Sequence, residues 1–371
     1  MTTLLRGARR VDADGAVDGG WALLDGGTVA ATGSGAPPPA DEVVEGAWLT
    51  PGFVDLHAHG GGGYAFDDGA ESITAALEVH RRHGTTRSVV SLVANPLDAL
   101  EESLAAVAGL TGVLGSHLEG PFLSPQRCGA HDPRHLRAPA EDDVRRLLAA
   151  ARGTLRQVTI APELPGALEA VELLAGAGVT VAVGHTGADA ELTARAFDAG
   201  ARLLTHAFNA MPGITARAPG PVLAAVADPR VTIEVILDGR HVHPDVVGLL
   251  FAAAPGRVAL VTDAMAAAGA ADGRYRLGGL DVDVRDGRAV LAGTSTIAGS
   301  TLTLDAALRT AVTTLRLDPV AAVTAVTATP AAALRLGHRL GRLGPGFAAD
   351  AVLLDEDWQV RAVWAEGRRV R

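Results

Sequence analysis

The sequence contains no lysine, and all 32 of its basic residues are arginines. This absence excludes chemistry that needs a lysine side chain: a P-loop lysine, a Schiff base, or a carbamylated-lysine bridge between two metal ions. The arginines are dispersed among 42 acidic residues, and the net charge is −10. Because a nucleic-acid surface needs a basic stripe, we expect no nucleic-acid partner, and an anionic substrate must be bound by a local arginine.

Cysteine and long apolar runs are also scarce. The single cysteine, Cys128, excludes an intramolecular disulfide and is typical of a reducing cytoplasm. No apolar run approaches the roughly 18 residues of a membrane span, and the first residues, MTTLLRGARRVDADG, lack the hydrophobic region of a signal peptide. We therefore expect a cytoplasmic protein that does not contact membranes.

The central part of the chain alternates between short apolar runs and alanine-rich segments. Eight strands followed by helices predict an α/β fold, and specifically a closed (β/α)8 TIM-like barrel rather than an open doubly wound sheet. The predicted strands are residues 49–56, 86–93, 112–118, 157–161, 179–184, 202–206, 231–237 and 257–262. The predicted helices are 71–82, 98–107, 141–151, 166–175, 189–198 and 244–253.

Both chain ends have a different residue pattern. Short alternating runs are separated there by Asp-Gly, Gly-Gly and Pro-rich turns, a pattern that predicts strands. The predicted terminal strands are Thr2–Leu5, Trp21–Leu24, Val29–Ala31, Val43–Val44, Ala351–Leu354 and Val360–Trp364. We therefore expect a small β-sandwich domain formed by residues 1–50 and 336–371, with the barrel occupying residues 51–335.

Several predicted barrel strands end at a residue that can bind a metal ion or transfer a proton. Glu119, His185 and His206 follow the third, fifth and sixth strands. A lone histidine is more often structural, but chemistry in this fold collects where the strands end. One carboxylate and two imidazoles with an open position are what a catalytic divalent ion needs. These three residues are the strongest candidate for a metal site.

The first strand carries a His-x-His motif, His57 and His59. Side chains alternate along a strand, so both imidazoles face the same side. They permit a second ion, with Glu119 as a possible bridge between the two. The alternative is a pair of histidines that hydrogen-bond to nearby backbone, and the number of ions stays open.

Asp263 ends the eighth strand in the string VALVTDAM. Beside a metal ion, an aspartate there can accept a proton from water and then deliver it to a leaving amine. The alternative is a helix N-cap, a common position for aspartate. Because the other ligands are present, we favour the catalytic role.

Two further residues have open interpretations. His131 lies in a loop after Glu119, where it either polarises a substrate carbonyl or is an exposed loop histidine. Arg217 also lies in a loop, where a guanidinium either binds phosphate in a bidentate manner or forms a surface salt bridge. Spacing decides neither question. We assign Cys128 no catalytic role.

Whole strings of the sequence resemble the N-acetylglucosamine-6-phosphate deacetylase family of the amidohydrolase superfamily. The strings HLEGPF at 117–122 and HAFNAM at 206–211 are specific to that family, whereas His-x-His and the GPG turn at 344–346 occur across the superfamily. Further matching stretches are PGFVDLHAHG from 51, GAH from 129, GHT from 184, LDGRH from 237 and VTDA from 261. The resemblance covers nearly the whole chain.

The resemblance implies a role for each matching position. It implies one or two divalent ions, most often zinc or iron, held by Glu119, His185 and His206 with His57 and His59 available for the second. Relatives with glutamine at the position of His57 use one ion. Asp263 would be the acid/base, and Arg217 would reach the phosphate from the neighbouring subunit of a homodimer. The other implied substrate contacts are Ala130, His131, Asn209, Ala210, Asp238, His241, Thr296, Ile297 and Ala298.

The expected reaction is hydrolysis of N-acetyl-D-glucosamine 6-phosphate to D-glucosamine 6-phosphate and acetate, in amino-sugar catabolism. One alternative is a related amidohydrolase that acts on N-acetylgalactosamine 6-phosphate or another small amide. A second alternative is a non-catalytic barrel that serves as an assembly scaffold. Such a scaffold is expected to lose its metal ligands, and every ligand is present here.

Overall fold

A computed structural model describes residues 2–371 of the protein, and these divide into two compact units. One unit combines the chain up to Asp55 with Glu78–Arg87 and Thr303–Arg371, and the other consists of Leu56–Leu77 and Ser88–Leu302. Among the helices of residues 2–371, none has both the length and the apolar character required to cross a bilayer.

The elements are numbered in chain order. The strands are β1 Thr2–Asp12, β2 Gly15–Asp18, β3 Gly20–Asp25, β4 Thr28–Ser34, β5 Glu42–Pro51, β6 Phe53–Asp55, β7 Gly60–Gly61, β8 Tyr64–Ala65, β9 Thr85–Val93, β10 Gly115–Glu119, β11 Leu155–Ile160, β12 Thr180–Val183, β13 Leu203–Leu204, β14 Thr232–Ile236, β15 Val258–Val261, β16 Gly273–Leu277, β17 Leu280–Arg285, β18 Arg288–Leu291, β19 Ala351–Leu354, β20 Val360–Ala365 and β21 Arg368–Arg369. The α-helices are α1 Ala70–Arg82, α2 Leu97–Ala108, α3 Glu141–Ala150, α4 Ala167–Gly176, α5 Ala190–Ala199, α6 Gly220–Ala227, α7 Pro244–Ala253, α8 Leu304–Thr313, α9 Pro319–Val326 and α10 Ala328–Ala333. Short 3₁₀ helices lie at Phe66–Asp68, Pro125–Arg127 and Pro133–His135.

The two chain ends build one sheet. Its strand order is β21-β20-β19-β5-β1-β3-β4, with β2 paired to β1. The C-terminal β19 pairs antiparallel with the N-terminal β5, which confirms that both ends contribute to one β-rich domain. Its apolar side chains, including Leu5, Leu49, Leu353 and Trp364, form a buried cluster. Alternation of apolar and polar residues along these strands therefore places one face in a core.

A second sheet of eight strands forms the barrel. Its order is β15-β14-β13-β12-β11-β10-β9-β6, and the register of each pair from β9 to β15 is parallel. The sheet closes beyond the first and last strands, where Ala58 forms a parallel bridge with Ala264. The amide of Asp263 donates to the carbonyl of His57 at 2.8 Å, and the amide of His59 donates to that of Ala264 at 2.7 Å. The predicted parallel barrel is confirmed.

Most predicted elements lie within a few residues of the observed ones, but the first barrel strand does not. The predicted strand 49–56 is divided: β5 ends at Pro51 in the terminal sheet, and β6 begins at Phe53. The break falls at Gly52, where a Cβ atom would lie 2.2 Å from the side chain of Thr86. A side chain at this position would clash with Thr86, so glycine lets the backbone pass where the chain changes sheets.

Several observed elements departed from the sequence prediction. The predicted strand 202–206 is reduced to Leu203–Leu204, and a three-stranded antiparallel sheet of β16, β17 and β18 was not predicted. Neither were helices α6, α8, α9 and α10. The three-stranded sheet is an insertion after the eighth barrel strand. Its charged, half-exposed strands have too little apolar character to stand out as core strands.

The buried cluster of the terminal sheet predicts a stability effect. Replacing Leu353 with alanine removes a fully buried side chain and is expected to lower the free energy of unfolding by about 2–5 kcal/mol, because a cavity remains. Urea denaturation followed by circular dichroism measures the change. Leu249, which is 70% exposed, is the matched control, and its alanine variant should differ by less than about 0.5 kcal/mol. Equal losses in both variants would contradict the assigned core.

Candidate active site

The ends of the barrel strands place six ionisable side chains together. Glu119 is the last residue of β10, and each of the other five follows shortly after a strand. All six side chains are buried. They are His57, His59, Glu119, His185, His206 and Asp263.

One oxygen of Glu119 faces two imidazoles. Its Oε1 lies 3.1 Å from Nε2 of His185 and 3.0 Å from Nε2 of His206. The two nitrogens are themselves 3.0 Å apart. Nδ1 of His185 donates to the carbonyl of Arg127 at 2.8 Å, which leaves the Nε2 lone pair directed at the cluster.

The second oxygen of Glu119 faces the other histidines. Its Oε2 lies 3.0 Å from Nε2 of His59 and 3.3 Å from Nε2 of His57. Oδ1 of Asp263 lies 3.3 Å and 3.6 Å from the same two nitrogens. Glu119 thus lies between two groups of potential metal ligands, and each of its carboxylate oxygens faces one group.

These spacings fit divalent cations. Two donor atoms bound to one tetrahedral ion at about 2.1 Å lie about 3.4 Å apart, close to the separations seen in both groups. Nε2 of His57 and Nε2 of His59 approach to 3.1 Å, and two lone pairs tolerate that distance only when a proton or a cation lies near them. Imidazole and carboxylate donors suit a divalent ion. The residues present therefore fit the group that the sequence predicted.

The electrostatics of the site also favour a bound positive charge. Burial alone lowers the pKa of His59, but the carboxylates of Asp263 and Glu119 outweigh it and raise the pKa to about 9. Burial raises the pKa of Glu119, whereas His57 and the neighbouring imidazoles lower it well below its usual range. Two buried carboxylates thus create a field that attracts cations, and a metal ion would replace protons there.

Three of these residues have an unusual backbone. His185, His206 and Asp263 have φ angles of 47°, 25° and 48°, in a region that non-glycine residues seldom adopt. Each lies two residues after a barrel strand. Such strain persists only where the surrounding structure enforces it, and it clusters at functional sites. Here the turn directs each side chain towards Glu119 instead of along the strand.

His131 is buried, so the exposed alternative for this loop histidine is wrong. Nδ1 accepts a hydrogen bond from the amide of Ala94 at 3.3 Å, and Nε2 lies 3.4 Å from Oε2 of Glu119. Burial lowers the pKa of His131 to about 4, so the ring is neutral at pH 7. Because Nδ1 accepts, the single proton is on Nε2. His131 therefore presents an N–H donor to the site.

A cavity of about 380 Å³ opens above the cluster. This volume lies within the range of small-molecule sites. The lining includes six predicted substrate contacts other than His131, namely Ala130, Asn209, Ala210, His241, Thr296 and Ile297. It also includes Gln126, Arg127 and Leu277, which were not predicted.

The remaining predicted contacts lie elsewhere. Oδ2 of Asp238 accepts from Nδ1 of His241 at 2.7 Å, so Asp238 acts on the cavity through that imidazole. Burial lowers the pKa of His241, but the hydrogen bond to Asp238 outweighs it and the net shift is upward. Ala298 is fully buried in an apolar cluster next to the cavity. Arg217 is exposed and is not among the residues that line the cavity of its own chain.

Two residues that were not predicted to belong to the site or its surroundings, Arg127 and Glu234, do carry a signal in the sequence. Arg127 lies eight residues after Glu119, in the loop that also carries His131. Glu234 is a charged residue inside the apolar strand β14, a position that calls for a partner. Leu277 belongs to the inserted sheet, so its place in the lining followed only from the fold.

Comparison with known proteins agrees with this geometry. A family model described as "Amidohydrolase family" matches residues 48–370. An N-acetylgalactosamine-6-phosphate deacetylase from Escherichia coli O157:H7 is 38% identical over 99% of both chains, and an N-acetylglucosamine-6-phosphate deacetylase from Vibrio furnissii is 34% identical over 87% of this chain and 82% of its own. A solved structure of N-acetyl-D-glucosamine-6-phosphate deacetylase from Mycobacterium smegmatis, in complex with N-acetyl-D-glucosamine-6-phosphate, is similar with a TM-score of 0.96. It is 43% identical and covers 100% of this chain and 99% of that one. The chain belongs to the amidohydrolase family.

The position of Glu119 predicts the outcome of its removal. Because both groups of donors share this carboxylate, we expect Glu119→Gln to lose most bound metal, whereas His59→Gln should lose only the ion beside Asp263. Metal content per chain, measured by mass spectrometry after purification without chelator, tests this. Glu191→Gln, an exposed change on α5, is the control. Full metal content in Glu119→Gln would contradict the shared-ligand geometry.

Proposed function

We propose that the protein hydrolyses the N-acetyl group of N-acetyl-D-glucosamine 6-phosphate, releasing acetate and D-glucosamine 6-phosphate in amino-sugar catabolism. The observation that carries the proposal is the cavity that joins a metal-binding cluster to a rim of polar and basic side chains. The relatives described above act on phosphorylated N-acetylhexosamines, which supports the same substrate class. A scaffold would not need the complete set of buried ligands.

The lining of the cavity offers groups for both ends of this substrate. Its buried members include Glu119, His131 and Asp263, where an amide carbonyl and an attacking water would meet. Its half-buried or exposed members include Asn209, His241 and the guanidinium-bearing Arg127. Imidazole, amide and guanidinium groups donate hydrogen bonds and suit a phosphate.

Glu119, His185 and His206 would hold the principal ion, and His57 and His59 a second. We propose zinc or iron, since imidazole ligands suit both metals. When bound, the ion would polarise the acetyl carbonyl and lower the pKa of a water molecule towards about 7. The proton transfers and the hydrogen bond to the reacting oxygen are made by side chains of the protein.

The proton transfers are assigned to Asp263. Its carboxylate accepts a proton from the water as the new C–O bond forms, and His131 donates its Nε2–H to the oxygen that gains negative charge. Asp263 then gives the same proton to the nitrogen as the C–N bond breaks. The products are the free amine and acetic acid, which releases its remaining proton to solvent and becomes acetate, and Asp263 returns to its ionised form.

Asp263→Asn tests the acid/base role. The amide cannot accept the water proton, so we expect kcat to fall by several orders of magnitude. General acid–base catalysis typically contributes about 10²–10⁴-fold, and the loss should exceed this range if no other group takes over the proton transfer. Acetate release measures kcat, and isothermal titration with the substrate measures whether binding survives. Asp281→Asn, an exposed change in the inserted sheet, is the control. Substantial activity in Asp263→Asn would overturn the assignment.

N-acetyl-D-galactosamine 6-phosphate is the second candidate substrate, because the Escherichia coli relative acts on that epimer. Acetate release from both 6-phosphates and from unphosphorylated N-acetylglucosamine distinguishes the candidates. We expect the highest kcat/KM with N-acetylglucosamine 6-phosphate and little activity without phosphate. A preference for the galactosamine epimer would replace the proposed substrate, and a preference for an unphosphorylated amide would reject the substrate class.

We further propose that the protein is a cytoplasmic homodimer, in which Arg217 of each subunit reaches the phosphate in the other. The exposed position of Arg217 outside its own cavity supports this arrangement. The single cysteine supports a reducing compartment.

Arg217→Ala tests the phosphate contact. Loss of a charge-assisted hydrogen bond, worth about 1.5–3 kcal/mol, is expected to raise KM for the phosphorylated sugar by about 10–100-fold. Arg195→Ala, an exposed change on α5, is the matched control. Mixing Arg217→Ala with Asp263→Asn should restore part of the activity if the two residues act on one site from different subunits. An unchanged KM in Arg217→Ala would reject the contact.

A further inference from the structure

Glu234 is a carboxylate with no solvent exposure in the interior of the barrel. It lies in the middle of β14, between Ile233 and Val235, which are also fully buried. A buried charge costs several kcal/mol unless polar partners compensate for it. The substrate cavity is not lined by Glu234, so the reaction proposed above gives this residue no direct role.

Three groups donate to this carboxylate. The side-chain amide of Gln157, also fully buried, donates to Oε1 at 2.9 Å. On the other side, Oε2 lies 3.3 Å from Nδ1 of His57 and 3.4 Å from the backbone amide of His206. Glu234 is therefore bound on one side by Gln157 and on the other by the first-strand histidine of the metal cluster.

The contact with His57 fixes where that ring carries its proton. A carboxylate can only accept, so Nδ1 of His57 holds a hydrogen, and the neutral form of the ring then has its lone pair on Nε2. That Nε2 is the atom 3.3 Å from Glu119 and 3.6 Å from Asp263. The ring of His117 packs edge-on against His57, with centroids 4.8 Å apart and planes at 86°, which restricts its rotation. Carboxylate–histidine pairs of this kind orient metal ligands and raise their basicity.

We propose that Glu234 is a positioning residue that holds His57 in its metal-binding tautomer and thereby allows this chain to bind a second divalent ion. The inference rests on the metal centre of the proposed function but not on the identity of the substrate. Glu234 acts through His57 and does not touch the reacting atoms.

The test is a zinc titration of the full-length chain after treatment with a chelator. Equilibrium dialysis against buffered Zn²⁺, with metal measured by mass spectrometry, gives both dissociation constants. We expect Glu234→Met to weaken the second ion by about 10–100-fold, because the imidazole loses its orienting acceptor. The first ion should change far less, since its side-chain donors remain.

Two further variants separate positioning from general destabilisation. Glu234→Gln keeps an acceptor oxygen for His57, and Gln157 can reverse its amide because its Oε1 has no partner among the described residues. We therefore expect Glu234→Gln to recover part of the lost affinity. Thr193→Val, a change at a fully buried polar position of α5 whose hydroxyl donates only to the carbonyl of Asp189 at the start of the same helix, should lower thermal stability without moving either dissociation constant.

A double-mutant cycle identifies His57 as the route of the effect. In a His57→Gln background, Glu234→Met should have no further effect on zinc binding, because the ring it orients is gone. Additive losses in the cycle, or wild-type affinity for the second ion in Glu234→Met, would overturn the proposal. Equal weakening of both ions in Glu234→Met and Thr193→Val would overturn it as well. If Glu234→Met does not fold, the Glu234→Gln variant and its cycle with His57→Gln decide the question. Because zinc is measured and not acetate, failure here leaves the deacetylase proposal standing.

Discussion

The carboxylate of Glu119 is the group around which the functional part of this protein is arranged. Its two oxygens face separate sets of imidazoles at distances of 3.0–3.4 Å, so neither set is complete without it. Five histidines around one buried carboxylate would be costly if they served only stability, since burial of charge is rarely repaid in full. A bound cation gives this arrangement its physical reason.

The barrel makes such convergence possible. Parallel strands bring residues that are far apart in the chain to one rim, and short turns after the strands then direct the side chains inward. The positive φ angles of His185, His206 and Asp263 contribute to this convergence, because they turn the chain shortly after each strand. Below the rim, buried polar side chains replace the usual aliphatic filling. Ser91, His117 and Thr159 form one hydrogen-bonded chain there, and Gln157 with Glu234 forms another.

Much of the architecture followed from the sequence, because its signals are local. Helix α7 begins and ends at the predicted residues, since an apolar run is bounded there by His243-Pro244 at its start and by alanines followed by Pro255 at its end. The candidate metal ligands have the same kind of local signal, as polar residues that follow apolar strands, and the fold brings their side chains together. The strand predicted at 49–56 was wrong because its division at Gly52 has no local signal, and the residue that leaves no room for a side chain there, Thr86, is distant in sequence.

The missing parts of the site depend on contacts that no local pattern reveals. In the sequence, Glu234 is a single charged residue within a predicted strand, and only the fold shows that His57 lies beside it. Leu277 reaches the cavity from an inserted sheet whose strands are weakly apolar. The burial of His131 also could not be inferred from the sequence, because a loop residue is buried only if another part of the fold covers it. The sequence pattern thus pointed to the candidate ligands, whereas the residues that support them could be recognised only from the fold.

Anomalous diffraction from crystals grown with zinc locates the ions themselves, and so tests whether Glu119 is the shared ligand of the site. We expect a strong peak within bonding distance of Glu119, His185 and His206, and at sufficient zinc a second peak beside His57 and His59, with Glu119 in contact with both. Zinc bound elsewhere, without contact to Glu119, would show that this carboxylate does not organise the site.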